Sequence, residues 1–147
     1  MDAEEQIHST FAAVAASLGY SEVHGRIISA LMVAGKPLSM EELTRQTKYS
    51  PASVSLSLDL LEIIGIVKKI KPMGDRKLYA RLDGDLIEGL RSAMILKLQK
   101  EINHTLSELA VLRADAKTKN AVGILEREVR RLQEYVNRLS EVEVPKK

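Results

Sequence analysis

The chain has 147 residues, of which 45% are hydrophobic and 29% charged, and its formal net charge is only +2. This length suits one domain or two small lobes, and because the charge is nearly balanced, nucleic-acid binding would depend on where the basic residues cluster. The lack of cysteine excludes disulfides, thiol catalysis and Cys-ligated zinc. The acidic start predicts that there is no signal peptide, and the lack of an apolar run of about 20 residues predicts that there is no membrane span. Together they predict a soluble cytoplasmic protein.

Two helices are predicted at the N-terminal end. Over residues 2–18 the apolar residues recur at intervals of three and four, and Gly19 ends the segment. The second helix is predicted from about Ser21 to the break at residues 35–37, Gly-Lys-Pro. Residues 1–19 are expected to serve in dimerisation or packing. The apolar positions of the first helix are Ile7, Phe11, Val14, Ala15 and Leu18.

A helix-turn-helix pattern follows over residues 40–65. Ser39 and Glu42 have the spacing of a capping box, which predicts a short third helix through about Thr47. After a tight turn, Ser50 is a favourable N-cap and Pro51 fits the first helical position. Gly65 then ends the fourth helix.

The two sides of the fourth helix are predicted to differ. On a helical wheel Val54, Leu58, Leu61 and Ile64 share the core side, and Ser57 falls among them. The opposite side carries small and nearly uncharged residues in its first two turns, which suits insertion into a DNA major groove. A solvated, serine-rich side of an ordinary amphipathic helix explains the same pattern. The outward residues are Ala52, Ser55, Leu56 and Asp59.

Two short strands, residues 66–70 and 77–82, are predicted to form a hairpin after the fourth helix, which makes the motif a winged helix-turn-helix. From residue 66 to residue 81 the only acid is Asp75. Because the whole chain is nearly neutral, such a local basic cluster beside the fourth helix favours nucleic acid over a merely solvated surface. The basic residues are Lys68, Lys69, Lys71, Arg76, Lys77 and Arg81.

Two long helices are predicted at the C-terminal end, over residues 84–115 and 120–140, with a break at the sequence DAKTKN. In the last helix apolar residues alternate at intervals of three and four, as in a heptad repeat. The two helices can pack on each other within the chain, but their wide apolar sides favour self-association, which would suit a palindromic site. The predicted dimerisation residues are Val122, Leu125, Val129, Leu132, Val136 and Leu139.

No enzyme, cofactor or metal site is predicted. Glu101 and His104 have the Glu-x-x-His spacing of di-iron bundles, but such a site needs a second copy and further glutamates. Phosphate-binding glycine loops and the GxSxG nucleophile motif are absent from the sequence.

The segment "PLSMEELTRQTKYSPASVSLSLDLLEIIGIVKKI", followed by "GDRKLYA", resembles the winged-helix core of MarR-superfamily regulators, and is most similar to the GbsR-type branch. The resemblance covers about residues 20–85. It implies a mainly α fold with a small β-hairpin wing, in a homodimeric transcription regulator that binds pseudo-palindromic double-stranded DNA. The expected division is a DNA-binding domain over residues 20–83 and a helical dimerisation region over residues 84–147.

The resemblance also implies which residues contact DNA. The helix at about residues 50–64 would enter the major groove, and the wing at residues 71–77 would reach the minor groove or its phosphates. Lys48 in the turn and Lys71 in the wing are predicted as additional cations at the same surface. The complete predicted set is Lys48, Ser50, Pro51, Ala52, Ser53, Ser55, Leu56, Lys71, Arg76 and Lys77.

Two other functions fit the same pattern. A winged helix can serve protein–protein assembly without binding DNA, although such a module needs no basic wing tip. RNA or non-specific nucleoid binding would call for basic residues over a larger surface. Some GbsR-type proteins sense choline-like cations, which favour aromatic cages, but this ligand is not carried over because the four tyrosines are dispersed; a small-molecule effector stays open.

Overall fold

Six helices and three short strands make up the part of the chain that the computed structural model describes, residues 2–147. Contacts divide the chain into two units, one ending at Leu90 and the other beginning at Arg91. None of the described helices is both long and apolar enough to cross a membrane. The elements are α1 (Ala3–Ser17), α2 (Glu22–Ala34), β1 (Leu38–Ser39), α3 (Met40–Thr47), α4 (Pro51–Ile63), β2 (Val67–Ile70), β3 (Tyr79–Leu82), α5 (Leu86–Leu112) and α6 (Lys119–Leu139).

The three strands form one antiparallel sheet in the order β1-β3-β2. Ala80 in the central strand pairs with Leu38 of β1 on one side and with Lys69 of β2 on the other. The predicted winged helix-turn-helix fold, mainly α with a small β wing, is therefore confirmed. The sequence predicted only the hairpin, and β1 was missed because two residues carry no recognisable alternation.

Local signals at helix ends behave as the sequence predicts. Ser39 Oγ accepts a hydrogen bond from the Glu42 backbone N–H at 3.1 Å, and the Glu42 carboxylate accepts one from the Ser39 backbone N–H at 2.9 Å. The capping box that starts α3 is thus complete. Ser50 Oγ likewise accepts from the Ser53 backbone N–H at 3.2 Å, with Pro51 as the first residue of α4.

The core of the first unit fixes the rotation of α4. Val54, Leu58 and Leu61 are buried there, together with residues of α2, α3 and the sheet. Ser57 is buried among them, as predicted, and its small side chain lets neighbouring elements approach closely. The opposite side of α4 consequently points away from the core and stays available for a partner.

Helix α1 packs through a side that only partly overlaps the predicted one: Ala15 is buried and Phe11 packs against the core, as the periodicity indicates, but the centre of the contact is rotated. The residues buried are His8, Ala12 and Ala15, while the larger Ile7 and Val14 are exposed. The reason lies on α2, where a Cβ on Gly25 would meet Ala12 Cα at 2.7 Å. Because the two backbones come this close, the small residues of α1 face α2.

His8 is held in this contact by a polar chain. Its Nδ1 lies 2.7 Å from Ser29 Oγ, and the Ser29 hydroxyl donates to the Arg26 carbonyl oxygen at 3.0 Å. Ser29 Oγ thereby connects His8 to the backbone of α2, and both buried side chains have a hydrogen-bond partner.

The second unit contains the remainder of α5 and the whole of α6. Its small apolar core consists of Ile95, Ile102 and Val136, with Leu106 and Val129 packed against it. Val122 is buried as well, whereas Leu125 and Leu132 are 53% and 47% exposed. The heptad positions of α6 are therefore split within the chain: the three valines are covered, two of them in this core, and these two leucines are left about half exposed.

Candidate nucleic-acid interface

The turn between α3 and α4 is built on a lysine in a left-handed conformation. Lys48 has φ 63°, and its backbone N–H donates to the Thr44 carbonyl oxygen at 3.1 Å, which ends α3. Within residues 2–147 it is the only non-glycine residue with a positive φ. Such a conformation is unfavourable for a residue with a Cβ, and glycine is the usual choice at this position.

The side chain of Lys48 is exposed and lies near the start of α1. Its Nζ is 3.9 Å from Glu5 Oε2. A hydrogen bond from Arg26, at 3.1 Å, lowers the pKa of Glu5 below its usual range, and Lys48 acts in the same direction. An exposed pair at this distance contributes little to stability, so Lys48 remains available to a phosphate.

Replacing Lys48 by glycine is expected to separate stability from binding. Relief of the left-handed conformation should raise the free energy of unfolding by up to about 1 kcal/mol, after the extra entropy of an unfolded glycine is subtracted. DNA affinity should fall, with a salt slope lower by about one unit if the lysine contacts a phosphate. Urea denaturation and binding at several salt concentrations measure the two effects, and a variant that lost stability would contradict the strain assigned to this residue.

The first turn of α4 presents hydroxyl and backbone N–H groups. Ser50 Oγ accepts from the Ser53 backbone N–H and donates its own proton to Ser53 Oγ at 3.0 Å. The Ser53 hydroxyl proton is thereby left for an acceptor outside the chain, beside a helix N-terminus that favours anions. The neighbouring predicted contacts Pro51, Ala52, Ser55 and Leu56 are all exposed.

The wing tip is ordered by Asp75. Its backbone N–H donates to the Pro72 carbonyl oxygen at 3.1 Å, and Gly74 has φ +81°, as a type II turn requires at its third residue. The Asp75 carboxylate accepts hydrogen bonds from the Lys77 backbone N–H at 2.8 Å and from the Tyr79 hydroxyl at 3.1 Å. These hydrogen bonds lower the pKa of Asp75, and the bond from the Lys77 N–H has the largest effect. The hydrogen bond between the Tyr79 hydroxyl and Asp75 raises the pKa of Tyr79.

The cations of the wing differ in how far they are engaged. Lys71 and Arg76 are exposed and form no ion pair with any residue from 2 to 147. Lys77 Nζ lies 3.8 Å from Glu41 Oε2 on α3 and is also largely exposed. Arg76 is therefore a long cation at the end of an ordered hairpin with its charge open to a partner.

Lys69 does not belong with the free cations, although the sequence places it in the same basic run. Its Nζ bonds Asp59 and lies 3.7 Å from Glu62 Oε1, and its backbone N–H donates to Glu62 Oε2 at 2.8 Å. The hydrogen bond to Asp59 raises the pKa of Lys69. The single positive charge of Lys69 thus offsets one of the two negative charges of Asp59 and Glu62, which would repel DNA phosphates.

Arg45 was missed by the sequence predictions. It lies in the last turn of α3, is exposed, and lines a surface depression of about 420 Å³ together with Pro51, the first residue of α4. No ion pair involves it among residues 2–147. The sequence does show a basic residue in the last turn of α3, just before the loop that connects α3 to α4. The predictions considered only that loop and α4.

The outward side of α4 continues beyond the predicted contacts as an apolar stripe. Leu56, Leu60 and Ile63 are 64%, 46% and 79% exposed. Their spacing of four and three places them on one side of the helix, opposite Leu58 and Leu61. The sequence predicted Leu56 as outward but assigned no role to the other two.

No group of three or more His, Asp or Glu side chains within residues 2–147 has an arrangement that could hold a metal ion. His104 Nε2 lies 3.3 Å from Glu108 Oε1, one turn further along α5. The interface described here consists of cations, hydroxyl groups and apolar side chains.

Comparison with known proteins shows the fold. No protein-family model matches the chain, and no curated protein matches its sequence. A solved transcriptional regulator is similar over 92% of this chain and 94% of its own, with 19% identity and a TM-score of 0.61. A structure of NadR in complex with 4-hydroxyphenylacetate covers 96% of this chain and 89% of its own, with 23% identity and a TM-score of 0.48. The chain accordingly has the fold of a solved transcriptional regulator.

Proposed function

We propose that this protein is a sequence-specific DNA-binding transcription regulator of MarR-like type, similar to the GbsR branch, that acts as a homodimer. In this proposal α4 enters the major groove, and the wing at residues 71–77 contacts the minor groove or the backbone. The observation that carries it is the pair of unengaged cations at the wing, Lys71 and Arg76, beside a helix whose exposed N-terminal side is small and uncharged.

The exposed cations and the helix have different tasks. Phosphate contacts supply affinity and position the protein, while base edges in the major groove supply specificity. Lys48, Lys71, Arg76 and Lys77 suit the first task, and the hydroxyl and apolar groups of α4 suit the second. A dimer would present two copies of α4 to the two halves of a pseudo-palindromic site.

Arg76→Ala is expected to weaken binding to all duplexes by a similar factor. Because the lost contact is to a phosphate or to the minor-groove potential, base preference should stay nearly the same. The salt slope should fall by about one unit if the contact is a phosphate. The measurement is a gel shift with duplexes selected from genomic fragments, repeated at several salt concentrations.

Lys100→Ala is the matched control for this variant. It removes one positive charge from an exposed residue of α5 in the second unit. We expect it to leave affinity and salt slope unchanged. Absence of duplex binding by the unaltered protein at low salt, or an equal loss in both variants, would contradict the proposed function.

A protein–protein assembly module is the second candidate, because the apolar stripe of Leu56, Leu60 and Ile63 is unusually exposed for a helix on the surface. Such a module would use the stripe for a protein partner and would not depend on Arg76. The two functions therefore differ in whether Arg76→Ala affects duplex binding.

A further inference from the structure

The exposed side of α4 lacks the side chains that usually read bases by paired hydrogen bonds. The helix has the sequence PASVSLSLDLLEI, without arginine, lysine, asparagine, glutamine or histidine. Guanine is most often read by a forked arginine or by lysine, and adenine by asparagine or glutamine. The groups exposed on α4 are instead serine hydroxyls, two acids and large apolar side chains.

The apolar stripe has a length that matches several base pairs. From Leu56 to Ile63 the helix rises by about 10 Å, at 1.5 Å per residue. Base pairs are about 3.4 Å apart along each strand, so the stripe spans about three of them. The one apolar group that a base pair offers in the major groove is the 5-methyl group of thymine.

Electrostatics also allow the stripe to approach DNA. Asp59 and Glu62 lie on α4 beside it and would repel the phosphates that border the groove. The Lys69 ammonium group contacts both acids: it bonds to Asp59, and its Nζ lies 3.7 Å from Glu62 Oε1. Lys69 thus offsets one of the two negative charges beside the stripe, and the cations of the wing follow in sequence.

We infer that α4 recognises its operator through thymine 5-methyl groups, read by Leu56, Leu60 and Ile63. This inference rests on the proposed function and adds the chemical class of the sequence: each half-site contains a run with closely spaced thymines under the stripe. A 5-methylcytosine carries its methyl group at the same place, so it replaces thymine better at these positions than cytosine does. The forked arginine or lysine that most often reads guanine is absent from α4.

The test begins with a duplex selected from a randomised library by the unaltered protein. Each thymine is then replaced by deoxyuridine, which removes the methyl group and keeps the base pair. Binding should weaken about fourfold for each methyl group contacted, the value expected for one buried methylene-sized group. At the same positions, 5-methylcytosine should bind more tightly than cytosine.

Two variants connect the effect to the stripe. Leu56→Ala should abolish the difference between thymine and uracil at the position that it contacts. Ile87→Ala removes a similarly exposed apolar side chain at the start of α5, outside α4, and should keep that difference in full.

The outcomes distinguish this inference from the proposed function. If no duplex is selected, both are overturned, and a protein partner of the stripe is favoured. If a duplex is bound but thymine and uracil bind equally at every position, only the methyl recognition is overturned. The same holds if Leu56→Ala leaves the thymine preference intact, because the stripe would then not be the reader.

Discussion

Replacing Leu125 and Leu132 together by glutamate should convert a dimer into a folded monomer. Both leucines are about half exposed in the single chain, so the change leaves the intrachain core of α5 and α6 in place. In a dimer that buries them, each uncompensated charge would cost about 3–5 kcal/mol, enough to abolish association at micromolar concentration. Sedimentation gives the mass, and circular dichroism checks that the helices persist.

The matched control places glutamates on another side of the same helix. Arg127→Glu with Arg131→Glu changes two exposed residues that lie outside the three–four repeat of α6. This control should remain dimeric. A dimer that survives the leucine changes would show that the leucines of α6 are not the interface, while unfolding of the leucine variant would mean that they support the monomer itself.

The structure separates the heptad positions that fold the monomer from those that could form a dimer, which the sequence pattern alone does not do. Val129 and Val136 pack in the core with residues of α5, and Val122 is buried, so charges placed there should unfold the second unit whatever its oligomeric state. Five of the six residues predicted for dimerisation thus fall into two sets with different expected phenotypes, and the sixth, Leu139, is half-buried. Only substitutions of the two leucines should change the association of the chains without unfolding the second unit.

Gly25→Ala is expected to destabilise the first unit, because overpacking usually costs about 1–3 kcal/mol. The new Cβ would lie 2.7 Å from Ala12 Cα and 2.9 Å from Ala15 Cβ, so the backbone of α1 must move. This cost acts against the gain in helix propensity, which is about 1 kcal/mol for alanine over glycine. The change in the urea midpoint measures the balance.

Gly123→Ala provides the control, since an added Cβ on this residue of α6 would have no atom within 4 Å. Helix propensity alone should then stabilise the chain by up to about 1 kcal/mol. The same substitution in two helices should therefore give opposite signs. Equal stabilisation by both would contradict the close approach of α1 and α2.

The elements that the sequence predicted well are those fixed by neighbours in the chain. Ser39 with Glu42, Ser50 with Pro51, and the core side of α4 depend on spacings of one to four residues. For that reason the helix-turn-helix and its orientation in the first unit could be derived before the structure. The wing hairpin belongs to the same class, because its turn is encoded by Gly74.

The features that the sequence did not reveal depend on contacts distant along the chain. The side of α1 that packs is decided by Gly25 on another helix, and β1 exists only because β3 pairs with Leu38. By sequence Lys69 is one of the cations in the basic run, but Asp59 and Glu62 lie beside it. Periodicity and local charge carry no information about such partners.

The left-handed Lys48 places two selective pressures on one position. Selection for stability alone favours glycine or asparagine there, since these residues adopt the conformation with less strain. Retention of a lysine, at a cost to the fold, is the pattern expected where function opposes stability. If Lys48 serves the proposed DNA contact, relatives of this fold that do not bind nucleic acid should carry glycine or asparagine at this position, and duplex-binding assays on relatives of both kinds test this.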